Sequence, residues 1–412
     1  MSSPMIPENK AGAGPQALIR RMGPAWIISA VACGPATLAS VSLAGSRFGY
    51  RLLWVVILSA LLAFVAQYLA ARVGLLSGQG IISLVERSLG RTWAWLLTLD
   101  ALAATWLAAA ILMKALTEVT GLITGLASPW WSLSYGAAIF LLVGMGGYKP
   151  LEAVSKGLVV LVVLCFVITL TIARPEADGV LRGLVPTLPG GLDGAMMSAG
   201  IMGGAVHVTI LAMHAYNLKS RGWTEREINL AWWDTFLSMF LAFGLYSTSV
   251  FLVSAAVLHP QGLDGGQPLV LARSLTPLLG PWAGAVFLAG LWGAALSTIT
   301  PTFLAAGFFA ADKLGWELSV RDRRFRLVVL AGILLSLVGP HLEGGFVPLL
   351  VVMLALGLCG TPLILVILLI LGNRKAVVGQ NRNPVILNLM GLAALGVTSF
   401  LALRFVLSRL GP

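Results

Sequence analysis

The stretch GPAWIISAVACGPATLASVSLAGSRFGY, residues Gly23 to Tyr50, is apolar enough to cross a bilayer, yet it carries Cys33-Gly34-Pro35-Ala36 near its middle. Proline lacks a backbone donor and clashes with the preceding turn, and the adjacent glycine loosens the helix, so a break is expected at Gly34-Pro35. Backbone groups freed at membrane depth must be satisfied by protein, water or a bound solute, so a broken span lines a cavity.

The rest of the chain fits that setting. Its 412 residues are 58% hydrophobic and 10% charged, and its mean hydropathy is +0.92. Runs of roughly 18 to 25 apolar residues, each able to cross about 30 Å of hydrocarbon, recur along the sequence. They predict an all-α, polytopic membrane protein with about eleven spans, near 24–46, 51–76, 93–117, 129–147, 155–173, 194–218, 228–257, 281–309, 325–339, 346–371 and 384–408. The first span follows Arg20 and Arg21 as a signal sequence would, but it lacks a convincing small-residue cleavage site and is read as retained.

The net charge of +11 would suit a nucleic-acid partner, but the basic residues fall in short loops at alternate span ends, from Arg20 and Arg21 through Arg87 and Arg91, Lys219 to Arg226 and Lys313 to Arg326 to Arg374 and Lys375. The positive-inside rule makes those ends, and segment 1–22, cytoplasmic in a multi-pass inner-membrane protein. No nucleic acid is needed, and lipid is the expected partner of the 321–326 arginine cluster. Cys33, Cys165 and Cys359 all lie within spans and show no metal or redox spacing. There is no Walker A motif, no nucleophile with its base and third group, and no cofactor signature, so an enzyme is excluded and a secondary transporter or channel is left.

At this level of detail the chain resembles the NRAMP family of proton-coupled divalent metal transporters. Gly23-Pro24, Pro35, Ala39, Ala44-Gly45, Phe48-Gly49-Tyr50 and Leu52-Leu53-Trp54 match the family's first helix without a gap. QYLAARVGLLSGQG (67–80), GYKPLE (148–153), ARPEADGVLRGLVPTLP (173–189) and GIMGGAVHVTILAMHAYNLKSR in the sixth span continue the similarity, which runs to residue 375. The resemblance implies the amino-acid-transporter fold, two inverted repeats of five helices, with helices one and six broken around the substrate. We expect the repeats at 23–173 and 194–371, an additional helix at 384–408, and a monomer. The best breaks in corresponding spans are Gly34-Pro35 and Gly203-Gly204, and such paired interruptions point to a transporter's binding site.

Departures from the family's pattern fall on the residues that carry its chemistry. The family's metal-coordinating DPGN places Gly34 at the aspartate and Thr37 at the asparagine. In the sixth span Gly204 stands at the alanine, His207 at the coordinating methionine, Val208 at the proline and Thr209 at the first histidine; the second histidine persists as His214. In the third span Trp106 and Ala109 replace two acids thought to conduct protons, and in the seventh Tyr246 replaces an asparagine while Asp234 persists.

Three readings follow. The first is a divalent cation such as Mg2+ or Mn2+, kept largely hydrated and held by carbonyls of the unwound segments with Thr37 and His207 as ligands. The second is a small anion or zwitterion, favoured by half-helix N-termini and by the lost acids. The third is a member that transports nothing. Alternating access is expected in the first two, without proton coupling of the family's type. Candidate substrate residues are Cys33, Gly34, Ala36, Thr37, Gly203, Gly204 and His207. His207 is costly inside a span and hence functional by default, though a neutral imidazole bonded to a neighbouring helix is the plain alternative. Cys33 is a soft ligand or a small apolar side chain, and Thr37 either a ligand or a hydroxyl bonded within its helix. Candidates for a proton path or gate are His214, Asp100, Trp106 and Tyr246. Asp100 lies one residue after a family glutamate position and reads as a displaced proton site or a cap near the surface. Trp106 reads as a plug in the former proton path, and Glu152 as a partner of a nearby basic residue. Most of the thirteen tryptophans, Trp130-Trp131 and Trp232-Trp233 among them, read as an interfacial belt.

Overall fold

The computed structural model describes Gly23, Ala25, Ser29, residues 31–144 and residues 149–410; the expected cytoplasmic segment 1–22 lies outside them, as do the side chains of 143–156, which include Lys149, Glu152 and Lys156. Helices of eight or more residues are numbered in chain order. They are α1 (Pro35–Phe48), α2 (Leu53–Ser77), α3 (Ile81–Leu89), α4 (Arg91–Thr124), α5 (Trp130–Gly144), α6 (Lys149–Ala173) and α7 (Gly191–Ala205). After these come α8 (Val208–Ser220), α9 (Ile228–Thr235), α10 (Phe243–Val257), α11 (Ala283–Leu314), α12 (Arg323–Ser336), α13 (Phe346–Asn373) and α14 (Val385–Leu410).

Each expected span meets helix. Among the described residues eight helical runs are long and apolar enough to cross a membrane, and the first, Pro35–Ser77, holds 43 residues because it joins the first two expected spans. At about 1.5 Å per residue that run is twice the length one crossing requires. It is divided by the 3-10 turn Gly49–Leu52, where Gly49 takes φ 56°, a left-handed geometry that a β-carbon would oppose. The fourth and fifth expected spans are the shorter apolar helices Trp130–Leu142 and Gly157–Ala173. The third is longer than expected: α4 has 34 residues and stops at Gly125, whose φ of 73° suits a left-handed cap.

The helices pack through small residues, as membrane helices must when lipid is as apolar as their side chains. A β-carbon on Gly203 of α7 would lie 2.0 Å from the Leu354 carbonyl oxygen of α13, and one on Gly45 of α1 would lie 2.6 Å from that of Phe251 in α10. Beyond these, α4 packs along α11, and α13 lies between α7 and α14. Large apolar side chains such as Leu141, Leu161, Leu245 and Leu403 are exposed on the outside, where lipid accepts them. Trp130 and Trp282 are among the most exposed, each beside a span end, as the belt reading expects. Trp232 instead packs inward against Phe64 and Phe236.

Candidate functional site

The first break falls where the proline places it. The helix before it closes with Cys33 N donating to Ser29 O at 2.8 Å and Gly34 N donating to Val31 O at 3.0 Å. α1 then starts with Pro35 in its first turn and Gly34 as an N-cap that has no side chain to offer. The N–H groups of a first helical turn have no intrahelical acceptors, so this end is open to a solute or a neighbour.

The second break lies beyond the expected Gly203-Gly204. Both glycines are helical in α7, which runs to Ala205; Val206 and His207 are extended, with φ −136° and −145°. Tertiary contact explains the displacement. Gly203 and Gly204 are small so that α7 can approach α13 and Thr37, whose Oγ1 is 2.7 Å from where a β-carbon on Gly204 would be. The carbonyl freed at Val206 accepts a hydrogen bond from Thr361 Oγ1 of α13 at 2.9 Å, which stabilises the unwound turn.

Between the two breaks lies a cavity of about 220 Å3. Gly34, Ala36, Thr37, Gly204 and His207 of the sequence-derived set line it, together with Thr209 and Met353. Asp100 lines it too. It sits about two and a half turns inside α4, so it is no surface cap. Its carboxylate presses on Gly360 of α13, with Oδ2 2.1 Å from where a β-carbon would stand; His207 Cβ approaches Gly357 in the same sense at 3.7 Å. Gly357 and Gly360 are three apart on one helix face, roughly 5–6 Å from each other, so the β-carbon of His207 and the carboxylate of Asp100 meet α13 within a single turn. The first span, where sequence comparison finds an acid missing, thus faces a carboxyl group brought to the cavity by α4. Asp100 Oδ2 has no hydrogen-bond partner among the described residues. Thr298 of α11, which sequence reasoning did not single out, lines the same cavity.

The other candidates stand outside this lining. Gly203 is packed on Leu354. Cys33 is partly buried against the hydrophobic core, and Tyr246 is buried. His214 is buried, with Nδ1 2.7 Å from Gln67 Oε1 of α2 and Nε2 without a partner among the described residues. Trp106 faces Gly332 of α12, 3.2 Å from indole Nε1 to the position of a β-carbon there. Among the described residues no three His, Cys, Asp or Glu side chains are grouped to hold a metal. The residues lining the cavity bring one carboxylate, one imidazole and several threonine hydroxyls to it.

The first span is tied at both of its ends. Asp234 accepts hydrogen bonds from Gly23 N at 2.9 Å and Ala25 N at 2.8 Å, and Ser29 Oγ donates to Ser238 O at 2.9 Å. At the other end Arg47 reaches Asp264 and, at 3.8 Å, Asp193.

Known proteins resemble this chain in sequence and in fold. A profile described as natural resistance-associated macrophage protein-like matches residues 25–408. The divalent metal cation transporter MntH of Deinococcus radiodurans is 30% identical over 389 residues, covering 89% of this chain and 85% of its own. MntH of Klebsiella pneumoniae is 30% identical over 319 residues, covering 74% of this chain and 75% of its own. A manganese transporter of Eremococcus coleocola superposes with TM-score 0.70 at 17% identity, over 97% of this chain and 88% of its own. The transporter MhsT, solved with L-phenylalanine, superposes with TM-score 0.57 at 16% identity, over 93% and 98%. The architecture is accordingly the amino-acid-transporter fold with broken helices in each half, and the chain belongs to the Nramp family of membrane transporters.

Proposed function

We propose that this protein carries a divalent metal cation such as Mg2+ or Mn2+ across the inner membrane by alternating access, with the ion in the cavity between the two breaks. The observation that carries the reading is Asp100, whose carboxylate enters the same cavity as His207 with one oxygen unpartnered among the described residues. Bringing a dication to membrane depth without any negative charge costs many kcal/mol, and Asp100 offsets part of that cost. The names of the curated relatives, divalent metal cation transporters, support the same substrate class. An anion or zwitterion meets the Asp100 carboxylate in the same space, which disfavours the other substrate class left open by the sequence.

Oxygen donors from Asp100 and Thr37 with a single imidazole from His207 suit a hard cation that retains part of its water. The cavity is large enough to admit waters with the ion. The substrate set of this proposal therefore centres on Asp100, Thr37, His207 and the backbone around Gly34, Ala36 and Gly204. Movement proceeds without proton coupling of the family's type, because Trp106 and Ala109 hold no proton where the family has acids. The protein acts as a monomer with its N-terminus in the cytoplasm.

Purified protein in liposomes tests this with Mn2+ or Mg2+ uptake measured beside internal pH. Uptake that Asp100→Asn abolishes, with no accompanying acidification, is the expected result. Absence of uptake of either ion, or uptake unchanged in Asp100→Asn, overturns the reading.

A further inference from the structure

Among buried side-chain polar atoms that lack a partner in the described structure, two belong to residues lining the central cavity: Asp100 Oδ2 and Thr298 Oγ1. The second is unexpected. A threonine in a membrane helix ordinarily donates its hydroxyl to the carbonyl four residues earlier. Thr98, Thr105, Thr169 and Thr302 all do so, at 2.5 to 2.8 Å. Thr298, 8% exposed, does not. Its Oγ1 instead stands 2.8 Å from the point that a β-carbon on Gly34 would occupy. Thr117 and Thr235 also leave their hydroxyls unbonded, but of the three only Thr298 lines the central cavity, where a bound solute can supply the partner that a buried hydroxyl otherwise forfeits.

We propose that Thr298 Oγ1 is an oxygen ligand of the transported divalent cation, entering from α11 at the corner of the cavity where Gly34 brings no side chain. The assignment rests on the cation reading above and adds a ligand to it. A hydroxyl is a neutral, hard donor, so Thr298 lowers the dehydration cost of the ion without adding charge to the Asp100 carboxylate. It also gives Gly34 a steric reason: any side chain there would collide with the Thr298 hydroxyl and with the Val31 carbonyl, also at 2.8 Å.

Calorimetric titration of the detergent-purified full chain with Mn2+ and, separately, Mg2+ tests the assignment on wild type, Thr298→Val, Thr298→Ser and Asp100→Asn. Valine keeps the shape and removes the oxygen; serine keeps the oxygen. The expected result is an affinity on the order of tenfold weaker in Thr298→Val and close to wild type in Thr298→Ser, with the ion-free melting midpoint retained in Thr298→Ser and not lowered in Thr298→Val. Equal affinity in wild type and Thr298→Val, or equal losses in both threonine variants, overturns the ligand assignment while leaving the cation reading intact, which Asp100→Asn tests separately. No binding of either ion by wild type removes both.

Discussion

Arg47 holds Asp264 through two parallel hydrogen bonds, Nε to Oδ1 and Nη2 to Oδ2, each 3.0 Å long. The pair joins the C-terminal end of α1, outward-facing in the proposed topology, to the segment following α10, across 217 residues of sequence. Its fork geometry is the favourable one for arginine and carboxylate, but Asp264 is 61% exposed, so the bond is moderated by solvent.

Arg47→Ala is expected to open the outer side more often and to do so modestly. Loss of such a pair is worth about 1 kcal/mol, or roughly fivefold in population. In a cysteine-free background carrying Ala36→Cys, the rate of thiol labelling from outside should rise by that factor. An unchanged rate would show that this clasp does not limit access.

At the other end of the first span, cytoplasmic in the proposed topology, the tie is buried and should matter more. Asp234 is fully buried and its two oxygens cap the N–H groups of Gly23 and Ala25. Asp234→Asn replaces one acceptor by an NH2 facing a donor, at a cost of about 1–3 kcal/mol. Hydrogen exchange at Gly23 and Ala25 should accelerate accordingly while exchange within α4 and α11 stays slow.

The paired glycines of α7 should separate folding from binding. Gly203→Ala places a methyl 2.0 Å from the Leu354 carbonyl, which is backbone and cannot swing aside, so expression and melting midpoint should fall by the equivalent of about 3 kcal/mol or more. Gly204→Ala meets the Thr37 hydroxyl at 2.7 Å and Leu354 Cδ1 at 3.3 Å, both movable. That variant should fold and lose cation affinity, read by titration.

Trp106 yields a prediction against its reading as a plug. Its Nε1 has no partner among the described residues, and its ring lies toward Gly332 and away from the cavity lining. Trp106→Phe should therefore shift stability by about 1.5 kcal/mol or less. Trp106→Glu should destabilise the α4–α12 contact without conferring pH-dependent transport; acquisition of such dependence in proteoliposomes would restore the plug.

Sequence alone determined the features whose causes are local. Apolar runs of sufficient length identify the spans because hydrocarbon thickness sets a minimum helix length. Gly34-Pro35 locates the first break because the missing N–H belongs to the proline itself. Family membership was legible for a similar reason: the motifs from Gly23 to Trp54 and from residue 67 to 80 are contiguous. Tertiary structure decided what depends on distant partners. The second break sits at Val206-His207 because Thr361, 155 residues away, satisfies the carbonyl released there, whereas the glycines that suggested a break serve close helix packing. Asp100 reads as an isolated acid in an apolar run until α13 brings Gly360 against it and Gly357 against His207. Thr298 carries no sequence signal at all, since a threonine that bonds its own helix and one that faces a cavity have the same letter; only the packing of α11 against the first break distinguishes them.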